Sequence, residues 1–83
     1  MNKIIVKLYV PKIDKEYDVF IPTNKRISMV IRLLVKVINE LSNGSFNPIE
    51  MPMLYNKLNA KPYDINITIK ESDIRNGSEL ILI

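Results

Sequence analysis

The sequence predicts an α+β fold: a mixed sheet of four to five strands packed on one main helix. Three observations carry this reading. Residues 3–22 alternate apolar and polar side chains in two runs joined by a short link. Residues 27–41 place apolar side chains three and four positions apart. A final apolar run, Glu79 to Ile83, supplies a closing strand. A hairpin cannot by itself bury the stripe of such a helix, so further strands must wrap over the same helix face.

The elements follow in order. Ile4, Val6, Leu8 and Val10 share one parity, and strand side chains alternate faces, so these point inward. Pro11 removes a ladder donor and ends the strand. Lys12 to Lys15 form a polar connection. Tyr17, Val19 and Ile21 then alternate with Asp18 and Phe20 up to Pro22, which completes a hairpin. Thr23 or Asn24 is the expected helix N-cap. Ile27, Val30, Ile31, Leu34, Ile38 and Leu41 form the core stripe of the helix. Ser42-Asn43-Gly44 stops it, with Gly44 in the left-handed conformation.

Residues 45–52 contain Pro48 and Pro52 and read as a loop. Met53-Leu54-Tyr55 is a short strand, and Pro62-Tyr63 begins a candidate fifth. Ile65, Ile67 and Ile69 fit an extended run, while Thr68 to Ser72 equally fit a helical turn capped by Thr68; periodicity leaves both open. Asn76-Gly77 is a turn signal. On Glu79 to Ile83, Leu80 and Leu82 face inward and Ile81 and Ile83 outward. The first and last strands are expected side by side, parallel and central.

Composition narrows the function. The 83 residues form one expected domain, 1–83, with 47% hydrophobic and 25% charged residues. There is no cysteine and no histidine. Disulfides, thiolate chemistry, the commonest metal ligand and the usual general base are therefore absent. The net charge of +3 is mild for a nucleic-acid binder. Lys7 interrupts the apolar start, so no signal peptide is expected, and no stretch approaches the roughly 20 apolar residues of a membrane span. The expected setting is cytoplasmic.

The element order at this length resembles ubiquitin-like β-grasp domains. The most specific stretch is Tyr63 followed by Thr68-Ile69-Lys70-Glu71-Ser72-Asp73-Ile74-Arg75-Asn76-Gly77-Ser78-Glu79-Leu80. Within that superfamily, Tyr17 to Pro22, the Ile27 and Val30-Ile31 stripe, the Ile74 to Leu80 ending and the stop after the last strand are similar to the YukD/EsaB-like family. Those are small bacterial proteins associated with type VII (WXG100/ESX-type) secretion. The resemblance implies a non-conjugated protein-interaction module, accessory or regulatory to such a system, with no cofactor and no catalytic residue. Conjugated relatives end in a flexible Gly-Gly. This sequence ends Leu80-Ile81-Leu82-Ile83, so adenylation is not expected.

Two apolar surfaces are candidates for binding. Ile5, Tyr9, Phe20, Ile81 and Ile83 point outward from the sheet, the usual docking face of ubiquitin-like proteins, against the plainer reading of scattered surface residues. Met29, Leu33 and Val37 lie at i, i+4 and i+8, offset from the core stripe. Either loop 42–52, with Phe46 and Ile49, folds back over them, or they form a homodimer interface. Asp14, Glu16 and Asp18 read as a solvated hairpin edge rather than a metal site. Lys25, Arg26, Arg32 and Lys36 lack interleaved aromatic residues and read as a solvated helix face, with weak nucleic-acid binding the lesser alternative.

Overall fold

The computed structural model describes residues 2–83. Strands β1 (Lys3–Val10) and β2 (Lys15–Pro22) form the expected hairpin, with Ile4 opposite Ile21 and Leu8 opposite Tyr17. The link is tighter than a plain polar connection. Pro11–Ile13 make one 3-10 turn, and Asp14 takes a left-handed conformation at φ 50°. Aspartate tolerates that region better than most residues. Its N–H donates to the Pro11 carbonyl at 3.1 Å.

Helix α1 spans Ile27–Leu41 and buries Ile27, Val30, Ile31, Leu34 and Ile38. Leu41 departs from the expected stripe and is 56% exposed. Three residues beyond Ile38, it lies about 60° round the axis. The start of the helix also differs from expectation. Its N-cap is Arg26, without a side-chain hydrogen bond, and Thr23 and Asn24 lie outside. The first amides are satisfied by another part of the chain: Ile27 N–H donates to the Ile67 carbonyl at 2.8 Å and Ser28 N–H to Ile65 at 3.0 Å. Carbonyls of Thr23 and Lys25 accept in turn from Lys70 and Ile69. At the other end, both Asn43 (φ 54°) and Gly44 (φ 82°) are left-handed, and Gly44 N–H closes on the Asn39 carbonyl at 2.8 Å.

Strand β4 (Glu79–Leu82) lies parallel to β1, with Leu80 opposite Leu8. Strand β3 (Leu54–Asn56) runs antiparallel to β4, giving the order β2-β1-β4-β3. The sheet thus has four strands. The expected fifth is a single bridge between Tyr55 and Pro62. The alternation at Ile65, Ile67 and Ile69 resolves as turns. Thr68 Oγ1 accepts the Glu71 N–H (3.2 Å) and Glu71 Oε1 accepts the Thr68 N–H (2.9 Å), a reciprocal capping box. The Thr68 N–H first, and then the Thr68 hydroxyl donating to the same oxygen (3.1 Å), hold the Glu71 carboxyl below its ordinary range. Gly77, at φ 88°, does not turn a tight hairpin. Its N–H donates to the Ile5 carbonyl (2.8 Å), while Asn76 Oδ1 accepts the Ile5 N–H (2.9 Å), so the turn docks on β1.

The core joins Val6, Leu8, Val10, Val19 and Ile21 from the hairpin to the helix stripe and to Leu54, Leu80 and Leu82. Phe46, Ile69 and Ile74 reach it from loops.

Two outcomes follow from this packing. Ile38→Ala removes a fully buried side chain and should cost about 2–5 kcal/mol. Leu41→Ala should cost under about 1 kcal/mol, both read from urea midpoints. Partial burial, then the hydrogen bond to Asp73 (2.9 Å) and that carboxylate's charge, push the Tyr63 phenol up to about 12, against a downward pull from Asn56. The folded pKa lies above the ordinary 10.0, so the stabilisation is complete below pH 10 and lost as pH rises to about 12. Tyr63→Phe should therefore flatten the fall in stability across that window.

Candidate functional site

The outer sheet face is built in rows set by strand register. Ile5 lies opposite Phe20; Lys7 lies between Asp18 and Glu79; Tyr9 lies between Glu16 and Ile81, with Tyr55 beyond Ile81. The five sheet-face candidates therefore share a face without forming one apolar surface. The Lys7 row separates Ile5 and Phe20 from the rest. Phe20, on edge strand β2, is 69% exposed.

The central row is occupied by its own contacts. Lys57 Nζ sits 3.4 Å from Glu16, 3.9 Å from Glu79 and 5.5 Å from the centre of the Tyr9 ring. The Tyr9 hydroxyl donates to Asp14 Oδ1 at 2.8 Å. That bond first, then slight desolvation and the carboxylate charge, raise the phenol above its ordinary value. Ile81 is half-buried beside it. Ile83, 64% exposed, lies at the far end, where it borders a trough of about 660 Å³ with Pro11, Phe46, Ile49 and Met51.

The acidic residues of the hairpin are held apart. Asp14 accepts from Tyr9, Glu16 meets Lys57, and Asp18 lies 3.8 Å from Lys7. Among the described residues, no three acidic side chains are placed to share an ion. Lys25, Arg26, Arg32 and Lys36 are exposed.

On the helix, Met29, Leu33 and Val37 are 47%, 42% and 39% exposed. Loop 42–52 does not fold over them. Phe46 turns into the core instead, its carbonyl accepting from Asn39 Nδ2 (2.8 Å) and its N–H donating to Ser42 Oγ (3.1 Å). Ile49 stands fully exposed, beside Ile83. Leu33, Val37 and Leu41 instead wall a groove of about 240 Å³ against β2, with Asp18 to Pro22 along its other side. The structure thus brings Phe20 from the sheet set together with Leu33 and Val37 from the helix set. Strand order carried the missed signal: once β1 and β4 are central, β2 must be an edge strand beside the helix.

No family model matches the sequence, and no curated protein matches it. Solved structures match its fold. The EccD5 ubiquitin-like domain from Mycobacterium xenopi has a TM-score of 0.80 at 24% identity, covering 100% of this chain and 94% of that one. The ubiquitin-like domain of the Mycobacterium tuberculosis type VII secretion system protein ECCD1 has a TM-score of 0.79 at 15% identity, covering 100% and 99%. A chain of the MycP5-free ESX-5 inner membrane complex has a TM-score of 0.80 at 20% identity, and this chain spans 21% of its length. The fold is ubiquitin-like β-grasp. Among the described residues, no helix is long and apolar enough to cross a membrane.

Lys57 holds only surface contacts, and such pairs are worth little. Lys57→Ala should lower stability by less than about 1 kcal/mol, and the loss should shrink further in molar salt, measured by thermal melting.

Proposed function

We propose that residues 1–83 are one ubiquitin-like domain that works as a non-conjugated protein-interaction module of a bacterial type VII secretion system, in an accessory or regulatory role on its cytoplasmic side. One observation carries the reading. The whole chain superposes on the ubiquitin-like domains of ECCD1 and EccD5 at a TM-score near 0.8. A match to part of an ESX-5 inner membrane complex chain supports protein partners among the components of such a machinery.

The chemistry of the chain supports binding over catalysis. It has neither histidine nor cysteine, and its hairpin acids each have a separate partner. β4 and the residue after it are held in the sheet. Leu80 and Leu82 are fully buried, and Ile83 exchanges main-chain hydrogen bonds with Met53 at 2.6 and 3.0 Å.

A second reading, a homo-oligomer, is favoured by one specific observation: the Met29, Leu33 and Val37 flank is left uncovered by loop 42–52. Light scattering on concentrated protein separates the two, because a strict monomer removes the oligomer.

The main reading is tested by pull-down of purified secretion-system components, including the membrane ATPase and WXG100 proteins, with tagged chain. Wild type should retain at least one component. Phe20→Asp should lose it while melting within a few degrees of wild type, since Phe20 is exposed. Ile81→Asp is the companion variant on the central row. Retention of every component by both variants would take the sheet face out of the reading; retention of none by wild type would refute the assignment.

A further inference from the structure

The chain has two glycines, and each follows an asparagine: Asn43-Gly44 and Asn76-Gly77. In such a pair the glycine main-chain nitrogen can attack the asparagine side-chain carbonyl carbon, since no Cβ stands in the way. Hydroxide takes the amide proton, the new C–N bond closes a five-membered succinimide, and the side-chain nitrogen leaves as ammonia. Water then opens the ring at either carbonyl to give aspartate or isoaspartate. Water is consumed, ammonia is released, and a carboxylate replaces the neutral carboxamide. The space around both glycines is open, with nothing within 4 Å of a Cβ position at either. Access by hydroxide therefore does not separate the two pairs.

Tertiary contacts do separate them. At Asn76 both reacting groups are held by one residue of β1, 71 positions away: the Ile5 N–H donates to Asn76 Oδ1 (2.9 Å), and Gly77 N–H donates to the Ile5 carbonyl (2.8 Å). The ring cannot close until that turn leaves the sheet. Asn43, by contrast, is exposed. The side-chain hydrogen bonds of its corner belong to Asn39 and Ser42; among the described residues none involves the Asn43 carboxamide. Gly44 N–H donates to the Asn39 carbonyl, a last-turn bond just past the Ser42 C-cap, and fraying helix ends open far more readily than core strands. Isoaspartate inserts a methylene into the main chain between Asn43 and Gly44. Both bonds that seat Phe46, from Asn39 Nδ2 to its carbonyl and from its N–H to Ser42 Oγ, span that link. Phe46 in turn lines the trough beside Ile49 and Met51.

We propose that Asn43 is a site of spontaneous deamidation in the folded protein, and that Ile5 locks Asn76 against the same reaction. Conversion at Asn43 lowers the net charge of +3 by one and sets a carboxylate at the helix C-terminus, where the helix dipole disfavours it. It also loosens the loop that walls the trough. The reaction needs only hydroxide and water, so it does not depend on which machinery the chain serves.

The test incubates the full chain in mildly alkaline buffer, with and without concentrated urea, and follows both asparagines by peptide mapping that resolves aspartate from isoaspartate. In urea the two sites should convert at like rates. In native buffer Asn43 should convert, with Asn76 slower by at least about tenfold, the factor given by about 1.4 kcal/mol of opening free energy. The Phe46 amide of the aged protein should exchange with solvent at least about threefold faster than in fresh protein. Asn43→Gln, whose longer side chain cannot close a five-membered ring, should show no such change on ageing. Equal native rates at the two sites, faster conversion at Asn76, or no native conversion at Asn43 would each overturn the assignment of the site. Unchanged Phe46 exchange in protein converted at Asn43 would overturn its effect on the loop.

Discussion

The parallel pairing of β1 with β4 is the constraint on which the rest depends. It joins the first strand to the last, with Leu8 opposite Leu80 and both fully buried. Each outer strand hangs on one member of this pair: β2 has only β1, and β3 only β4. The contact extends beyond the ladder, because Asn76 and Gly77 close on Ile5 and Ser78 accepts from Lys7 N–H at 2.9 Å. Bringing together residues some seventy positions apart carries a closure cost that local contacts do not repay. The helix stripe repays it, since only the assembled sheet can take Ile27, Ile31, Leu34 and Ile38 out of water.

Helix α1 is tied to the same arrangement at its start. No local side chain caps it, and carbonyls of Ile65 and Ile67 receive its first amides. The segment that supplies them is itself ordered by the Thr68–Glu71 capping box and anchored by Ile69 in the core. Helix, capping segment and closing strand therefore stabilise one another, as cooperative folding of a small domain requires.

This architecture separates the acidic from the apolar surface. The hairpin acids are held apart across the outer face, by contacts with Lys7, Lys57 and the Tyr9 hydroxyl. What remains open is the apolar groove on the flank where β2 ends the sheet, and the trough where Ile83 meets Ile49 and Met51. Both present apolar side chains suited to excluding water from a contact.

The sequence by itself determined the elements whose information is local. Period-two alternation marked β1 and β2, the three-and-four spacing marked α1, and the Leu80–Leu82 parity set the inward face of β4, because side-chain direction in each follows from backbone geometry alone. It also carried the likeness to ubiquitin-like folds. Tertiary structure decided the rest. The cap of α1 comes from Ile65 and Ile67, a contact across some forty residues that no local motif encodes. Leu41 fits the helical period yet stays exposed, and Phe46, in a loop with no period at all, is buried. Pro62 forms a bridge rather than a strand. The grouping of Phe20 with Leu33 and Val37 depends on which strand lies at the sheet edge, and that is settled by long-range pairing, not by any single stretch of chain.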